Sequence, residues 1–287
     1  MSTSLWDGLP WSLVDFRHHV LEQGRRHYRD LPWRNIDDPY AVLVSEVMLQ
    51  QTQVKRVLSY WPRFLALFPT IDSLAAADTS LVLEMWQGLG YNRRALALKR
   101  CAGECSRSYG GHLPGSRDEL LALPGIGPAT AGGVLAFALQ QPTLYLETNV
   151  RTVFLHELFP GQQDVSDKQI EPLVWESCPA ENPREWYYAL LDYGAYLKAT
   201  VPNPSRRSKH HVRQSTFEGS RRQKRAEVVR FVLAAAPVTR AEIARNLDEF
   251  EKKAGRDSVD DQLLDGILSD LVKEGFLVPG EEGYSVG

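Results

Sequence analysis

The chain has 287 residues, 43% of them apolar, and a net charge of only −3, enough to bury a sizeable core and to hold two domains. Its three cysteines, Cys101, Cys105 and Cys178, follow no metal-ligand spacing and suit a reducing cytosol, so a disulfide-built fold is not expected. No signal peptide or long apolar run occurs, so secretion and membrane insertion are not expected either, and the cytoplasm is the expected location, at the nucleoid in a bacterium.

The first telling element opens at Asp38-Pro39-Tyr40, with Asp38 as N-cap and Pro39 at the first helical position. Val42, Leu43, Val47 and Leu49 follow helical spacing, yet Ser45-Glu46-Val47-Met48-Leu49-Gln50-Gln51-Thr52-Gln53-Val54 puts a carboxylate, amides and a hydroxyl into this apolar run. Burial disfavours a charged carboxylate, so Glu46 either faces solvent on an amphipathic helix or sits inside with a task. Further on, Ser116-Arg117-Asp118-Glu119 reads as a capping box opening a short helix with Leu120, Leu121 and Leu123. Pro124-Gly125-Ile126-Gly127-Pro128-Ala129 then turns the chain into a small-residue helix, Thr130-Ala131-Gly132-Gly133-Val134-Leu135-Ala136-Phe137-Ala138. Helix, glycine turn and helix make a helix-hairpin-helix, whose glycines permit positive φ and bring amide N–H groups close to a phosphate. An ordinary helix–helix turn would look alike without the flanking helix signals.

Residues 204–225 carry eight Lys/Arg against one Glu, and residues 226–287 carry seven against thirteen Asp/Glu. The basic run is expected to be a phosphate-binding arm or a solvated tether between domains. Beyond it, helices are predicted over Arg225–Ala235, Arg240–Leu247 and Asp260–Glu274, followed by a β-hairpin over residues 275–286. Three helices and a hairpin resemble a winged helix. The third helix is rich in Asp, which opposes a role in facing phosphates, so a packing or protein-interaction module is expected. The whole is read as a mainly α protein.

Taken together, Leu31-Pro32-Trp33-Arg34, the Ser45–Val54 block, Gly88-Leu89-Gly90-Tyr91, the hairpin, Asn149-Val150-Arg151 and Asp192-Tyr193-Gly194-Ala195 resemble the helix-hairpin-helix DNA glycosylases, in their adenine-mismatch (MutY-type) branch. The resemblance implies a two-lobed glycosylase module over 1–203, with a six-helix lobe of about 31–137 inserted in a lobe built from 1–30 and 138–203. A basic arm (204–225) and an acidic winged-helix-like domain (226–287) would follow. The partner it implies is duplex DNA with a mismatch or lesion, bound by a monomer, with a further protein partner open for the C-terminal domain.

The implied chemistry is hydrolysis of the C1′–N bond, which needs a proton for the leaving base and a negative charge beside an oxocarbenium-like sugar. The resemblance gives Glu46 the general-acid role, Glu147 the second carboxylate in place of the family's Asp, and Asn149 a role in positioning the sugar. Glu caps helices poorly, so Thr148 is expected to take over the cap, and the extra methylene displaces the carboxylate by about 1.5 Å. Arg34, Leu49 and Thr52 are expected to line the base pocket, while Gln51 and Tyr91 fill the gap left by the extruded nucleotide. Tyr91 could equally pack beneath its glycine turn, and Asn92 stands where a second aromatic is common. Gly125, Ile126, Gly127, Ala129, Thr130, Arg206, Arg207, Lys209 and Arg213 are the implied DNA-backbone contacts, with a monovalent cation as a companion of the hairpin.

Two departures qualify this. Cluster-bearing relatives place four cysteines at the positions of Lys198, Ser205, Ser208 and Gln214, so no iron–sulfur cluster is expected and the loop must be held by packing alone. Strand-cleaving relatives place a lysine at position 129, where this chain has Ala129, so base removal without efficient lyase activity is expected. Alternatives left open are a uracil, thymine or other damaged-base glycosylase and a non-catalytic lesion-binding protein. The 8-oxoguanine-reading domain of the branch is replaced by residues 226–287.

Overall fold

The computed structural model describes residues 4–211 and 216–287. Eleven helices come first: α1 (Leu13–Arg26), α2 (Pro39–Leu49), α3 (Val54–Leu67), α4 (Ile71–Ala76), α5 (Thr79–Trp86), α6 (Arg93–Ser108), α7 (Arg117–Ala122), α8 (Pro128–Phe137), α9 (Thr148–Glu157), α10 (Asp167–Ser177) and α11 (Pro183–Thr200). A 3₁₀ turn (Pro204–Arg207), α12 (Arg221–Ala235), α13 (Arg240–Lys253) and α14 (Asp261–Lys273) follow. The chain ends in the antiparallel pair β1 (Leu277–Gly280) and β2 (Gly283–Val286), with Leu277 opposite Val286. Among the described residues no helix is long and apolar enough to cross a membrane.

The described parts of residues 1–47 and 113–213 form one compact unit, and those of 48–112 and 214–287 a second. In the first unit α11 is the central helix, flanked by α1, α8 and α9. Small residues let these helices approach closely. A Cβ on Gly24 of α1 would lie 2.5 Å from the Ala189 Cα of α11, and one on Gly194 of α11 would lie 2.8 Å from the Asn149 Cβ of α9. The core between them is aromatic, with Phe16 edge-on to Phe154 at 5.1 Å and to Trp186 at 6.0 Å, and Phe137 stacked on Tyr188 at 4.8 Å. Each such ring, once buried, contributes on the order of 1.5–3 kcal/mol.

In the second unit α3, α5 and α6 close over Phe64, Phe68, Leu83 and Trp86, all of them buried. Helix α12 packs on α5, α13, α14 and β2, so the C-terminal helices share this unit instead of standing apart. Three helices and a hairpin are present as expected, each starting on a side-chain cap: Ser220 for α12, Thr239 for α13, with Glu242 completing a capping box, and Asp260 for α14.

The domain boundaries differ from those expected. The first unit takes in the start of α2 and all of α7 and α8, because Val42, Ala136 and Phe137 belong to the core built around Phe16 and Trp186. The basic run does not stay a linker to residue 225, since Arg221–Arg225 form the first turns of α12. Their charges meet the acidic domain: Arg221 reaches Asp270 (2.6 Å), Lys224 Glu251 (3.0 Å) and Arg225 Glu274 (2.6 Å). The acidic α14 is thereby largely neutralised from within the same unit, as are Asp261 and Asp265 by Arg240.

Candidate active site

In the first unit, α2 places Glu46 inside. Asp38 accepts the Tyr40 amide at 2.9 Å, fixing the start of the helix, and every residue from Tyr40 to Met48 except Glu46 is buried. Glu46 is half-buried and its Oε2 accepts the Tyr145 hydroxyl at 3.2 Å. Burial is the main cause that lifts its pKa from the ordinary 4.5 to about 8; the Tyr145 bond pulls down and the nearby Glu147 charge pushes up. Against the carboxylate lies the backbone of α8. A Cβ at Gly133 would come within 2.7 Å of the Glu46 carboxyl carbon. The solvent-facing alternative for Glu46 is therefore wrong.

Glu147 is the N-cap of α9, and its Oε1 accepts the amides of Asn149 (2.5 Å) and Val150 (3.0 Å). Thr148 does not take over the cap, as expected from the sequence, but is the first helical residue. The physical reason is the extended backbone at Glu147 (φ −115°, ψ −177°), from which the longer side chain folds back over the first turn. The extra methylene is absorbed in that fold-back. Burial raises the Glu147 pKa, opposed by the two amides and by the charges of Lys198 and Arg151. Asn149 bridges the pair: its Nδ2 points to Glu147 Oε2 at 3.4 Å and its Oδ1 accepts the Lys198 ammonium at 3.2 Å. One carboxyl whose pKa burial raises to about 8 and one cradled by amides thus influence each other beside Tyr145.

The hairpin follows its sequence signals. Ser116 caps α7 by accepting the Glu119 amide, Leu120 and Leu123 are buried, and Gly127 and Pro128 open α8. Only Gly125 uses positive φ (+77°); Gly127 has φ −97°, which any residue can adopt. Gly125 is exposed and Ile126 buried beneath it. The first helix-closing bond runs from Ala131 N–H to Gly127 C=O (2.9 Å), so the Ala129 amide ahead of it points out of the helix end, beside the buried Thr130.

Arg34 takes a different part from the expected pocket contact. Its guanidinium is buried and paired with both oxygens of Asp192 (2.7 and 2.8 Å), donates to the Arg29 carbonyl (2.8 Å) and lies over the Tyr188 ring at 4.5 Å. Three of its N–H groups are committed in this way, because Asp192 on α11 has no solvent to hydrate it and draws in both Arg34 and Arg29.

The loop after α11, expected to be held by packing alone, is held by hydrogen bonds as well. Ser205 shares a hydrogen bond with Thr152 (2.6 Å), the Ser208 hydroxyl accepts the His210 amide (3.1 Å), and Val165 pairs with the Arg207 carbonyl (3.1 Å) and the Lys209 amide (3.0 Å). Arg207 donates to the carbonyls of Leu155 in the last turn of α9 (2.5 Å) and of Phe159 and Gln162 beyond it, so it ties down the loop in place of the expected phosphate contact. Arg206 and Lys209 are exposed. Arg213 and Gln214 lie outside the described residues. Lys198, Ser205 and Ser208 offer no thiolate and are engaged otherwise, so these residues do not fit an iron–sulfur cluster.

The second unit holds the other expected residues. Gln51 and Tyr91 are both exposed and both adopt positive φ (+54° and +49°), a strained backbone for side chains of this size. Leu49 ends α2 and is half-buried. Between the two tips lies Arg94, which sequence reasoning missed. It donates to the carbonyls of Met48, Gln50, Leu89 and Gly90 (2.9, 2.6, 3.2 and 2.9 Å) and to the Thr52 hydroxyl (3.0 Å). Thr52 is thus a brace within this clamp. Tyr91 is 38% exposed, not packed beneath its turn, and its hydroxyl accepts Arg222 at 3.0 Å.

A helix-hairpin-helix and two unlike carboxyls on a mainly helical frame fit a base-excision type of DNA repair fold. Residues 44–180 match the model of the HhH-GPD superfamily of base excision DNA repair proteins. An adenine DNA glycosylase of Mycobacterium tuberculosis is 33% identical over 92% of this chain and 93% of its own length. Another, of Buchnera aphidicola, is 34% identical over 65% of this chain, which spans about half of that relative (52%). The chain belongs to the HhH-GPD superfamily, in its adenine DNA glycosylase branch. The fold is similar to that of a thermostable thymine-DNA glycosylase (TM-score 0.59, 23% identity, 67% of this chain and 90% of that one). It is similar also to endonuclease III in a non-covalent DNA complex (TM-score 0.55, 21% identity, 67% and 90%).

Proposed function

We propose that the protein removes adenine from mismatched duplex DNA by hydrolysis of the N-glycosyl bond. The observation that carries this is Glu46, a carboxyl enclosed against α8 and bonded to the Tyr145 hydroxyl, near the second carboxyl at Glu147. Glu46 protonates a ring nitrogen of the extruded base as the C1′–N bond breaks and its electron pair leaves with the base. Glu147, aided by Asn149, places negative charge beside the cationic sugar. Water adds to C1′ and gives a proton back to Glu46. The hairpin amides around Gly125 and Ala129 and the exposed Arg206 and Lys209 hold phosphates.

The activity stops at base removal. Ala129 has no amine where a Schiff base would have to form, so β-elimination is not supplied there. A set of duplexes, each with one mismatch or lesion, treated with enzyme and then alkali, is expected to give cleavage at A-containing mismatches only after alkali. Cleavage at uracil or thymine instead, cleavage at none, or a borohydride-trapped covalent adduct would each contradict the proposal.

The packing of α8 on Glu46 gives a second expected result. Gly133→Ala forces the Glu46 carboxylate aside, lowering the single-turnover rate at least tenfold and stability by about 1–3 kcal/mol. Gly132→Ala is the comparison. Its Cβ would lie 2.7 Å from the Leu144 carbonyl and 3.3 Å from Tyr145, so it too loses stability but reaches Glu46 only through Tyr145, with a smaller loss of rate. Equal rates for the two variants would remove Gly133 from the site.

A further inference from the structure

Tyr91 is held from two sides within the second unit. The Arg94 guanidinium carbon lies 5.6 Å from its ring centre, and Arg222, 131 residues further along the chain, lies 6.0 Å from the ring and donates to its hydroxyl at 3.0 Å. The helix that bears Arg222 is itself fastened to this region. Arg93, two residues from Tyr91, makes a bidentate pair with Glu274 at the end of α14 (2.7 and 2.7 Å), and Arg225 joins the same carboxylate. An exposed aromatic at φ +49° has no reason to hold one direction on its own, because such a backbone conformation persists only where its surroundings over-determine it. A guanidinium over the ring and on the hydroxyl restricts both the ring plane and its tip.

We propose that Arg222 is a positioning residue for Tyr91, so that the C-terminal domain aims the side chain that stacks in DNA where the base is extruded. This rests on the glycosylase reading, and it gives residues 216–287 a part in lesion recognition that needs no contact between α14 and phosphates. Arg94 orders the backbone of both tips and lies over the Tyr91 ring, whereas Arg222 donates to the Tyr91 hydroxyl, so the two arginines act on different parts of the residue.

The test is binding of mismatched and matched duplexes by the full chain carrying Glu46→Gln, which leaves the DNA uncut. Arg222→Ala, Tyr91→Phe and their double variant are compared in that background. Arg222→Ala and Tyr91→Phe are each expected to cut the preference for mismatched over matched duplex by about three- to tenfold, and the double variant by no more than either alone, the signature of coupled neighbours. Arg222→Lys, which keeps the donor, is expected to recover part of the preference. Multiplicative losses in the double variant would overturn the inference. So would an equal fall in affinity for both duplexes, the mark of a plain phosphate contact. If the Glu46→Gln parent shows no mismatch preference at all, the glycosylase reading itself fails, and the two failures are distinguishable.

Discussion

Glu46→Gln is expected to lower the single-turnover rate of base removal by about 10²–10⁴-fold, the range typical of losing a positioned general acid, while mismatch binding is kept. The amide keeps the shape and can still accept the Tyr145 hydroxyl at the 3.2 Å position, so loss of packing is not the cause of the fall. The pH dependence provides the sharper test. The reacting form of Glu46 carries a proton, so the wild-type rate is expected to fall as pH rises through about 8, and the residual rate of Glu46→Gln is expected to lack that limb. Tyr145→Phe removes the bond that pulls the pKa down, and it is expected to move the limb to higher pH. The same shift has a sign in stability. Between the ordinary 4.5 and about 8 the folded state binds more protons at this position than the unfolded chain, so its contribution declines as pH rises across that window. Glu46→Gln does not titrate, and its unfolding midpoint relative to wild type is expected to rise from pH 5 to pH 9. A flat difference, or an alkaline limb that survives the substitution, would remove Glu46 as the acid.

Local signals in the sequence carried the parts that depend on neighbours along the chain. Asp38-Pro39 and Ser116 fix helix starts through bonds reaching two or three residues, and Gly125 fixes a turn through its own φ. The carboxyl pair was legible because each member sits in a distinctive block. The long arginines were not. Arg34 was read as lining the base pocket through its motif and Arg207 as a phosphate contact through its charge, but their destinations, Asp192 158 residues away and a carbonyl in the last turn of α9, are tertiary facts. Arg94 and Lys198 were missed for the converse reason: the acceptors they gather are mostly backbone carbonyls or a distant amide, which leave no mark in residue type. Tyr145 was passed over because an aromatic in an apolar stretch signals core, and only the fold shows its hydroxyl on Glu46. The unit boundary was misplaced because α8 reads as a generic small-residue helix, whereas its Ala136 and Phe137 complete the core of one unit only.

Asp192→Asn is expected to destabilise the first unit by about 3–5 kcal/mol, since it removes the counter-charge of an arginine that has no access to water. The Arg34 side chain is 2% exposed and that of Asp192 0%, so solvent cannot compensate either partner. For a chain of this size the loss corresponds to a fall in unfolding midpoint of roughly 6–20 °C. Arg34→Met is expected to cost less, because Arg29 still reaches Asp192 at 2.5 Å and keeps the carboxylate paired. This asymmetry separates a buried charge network from simple packing, in which loss of the larger arginine side chain would cost more. The consequence also reaches the candidate active site. Two residues on from Asp192, Gly194 lies against Asn149, so any shift of α11 displaces the start of α9 that holds Asn149 and Glu147. Asp192→Asn is therefore expected to lose base-removal rate at temperatures below its unfolding transition, whereas Arg34→Met keeps more of it. Thermal unfolding of both variants, followed by aromatic near-ultraviolet dichroism of the Phe16–Trp186 core, checks the order; an Asp192→Asn midpoint equal to wild type, or below it by less than the fall seen in Arg34→Met, would show that the ion pair is not what keeps α11 in place.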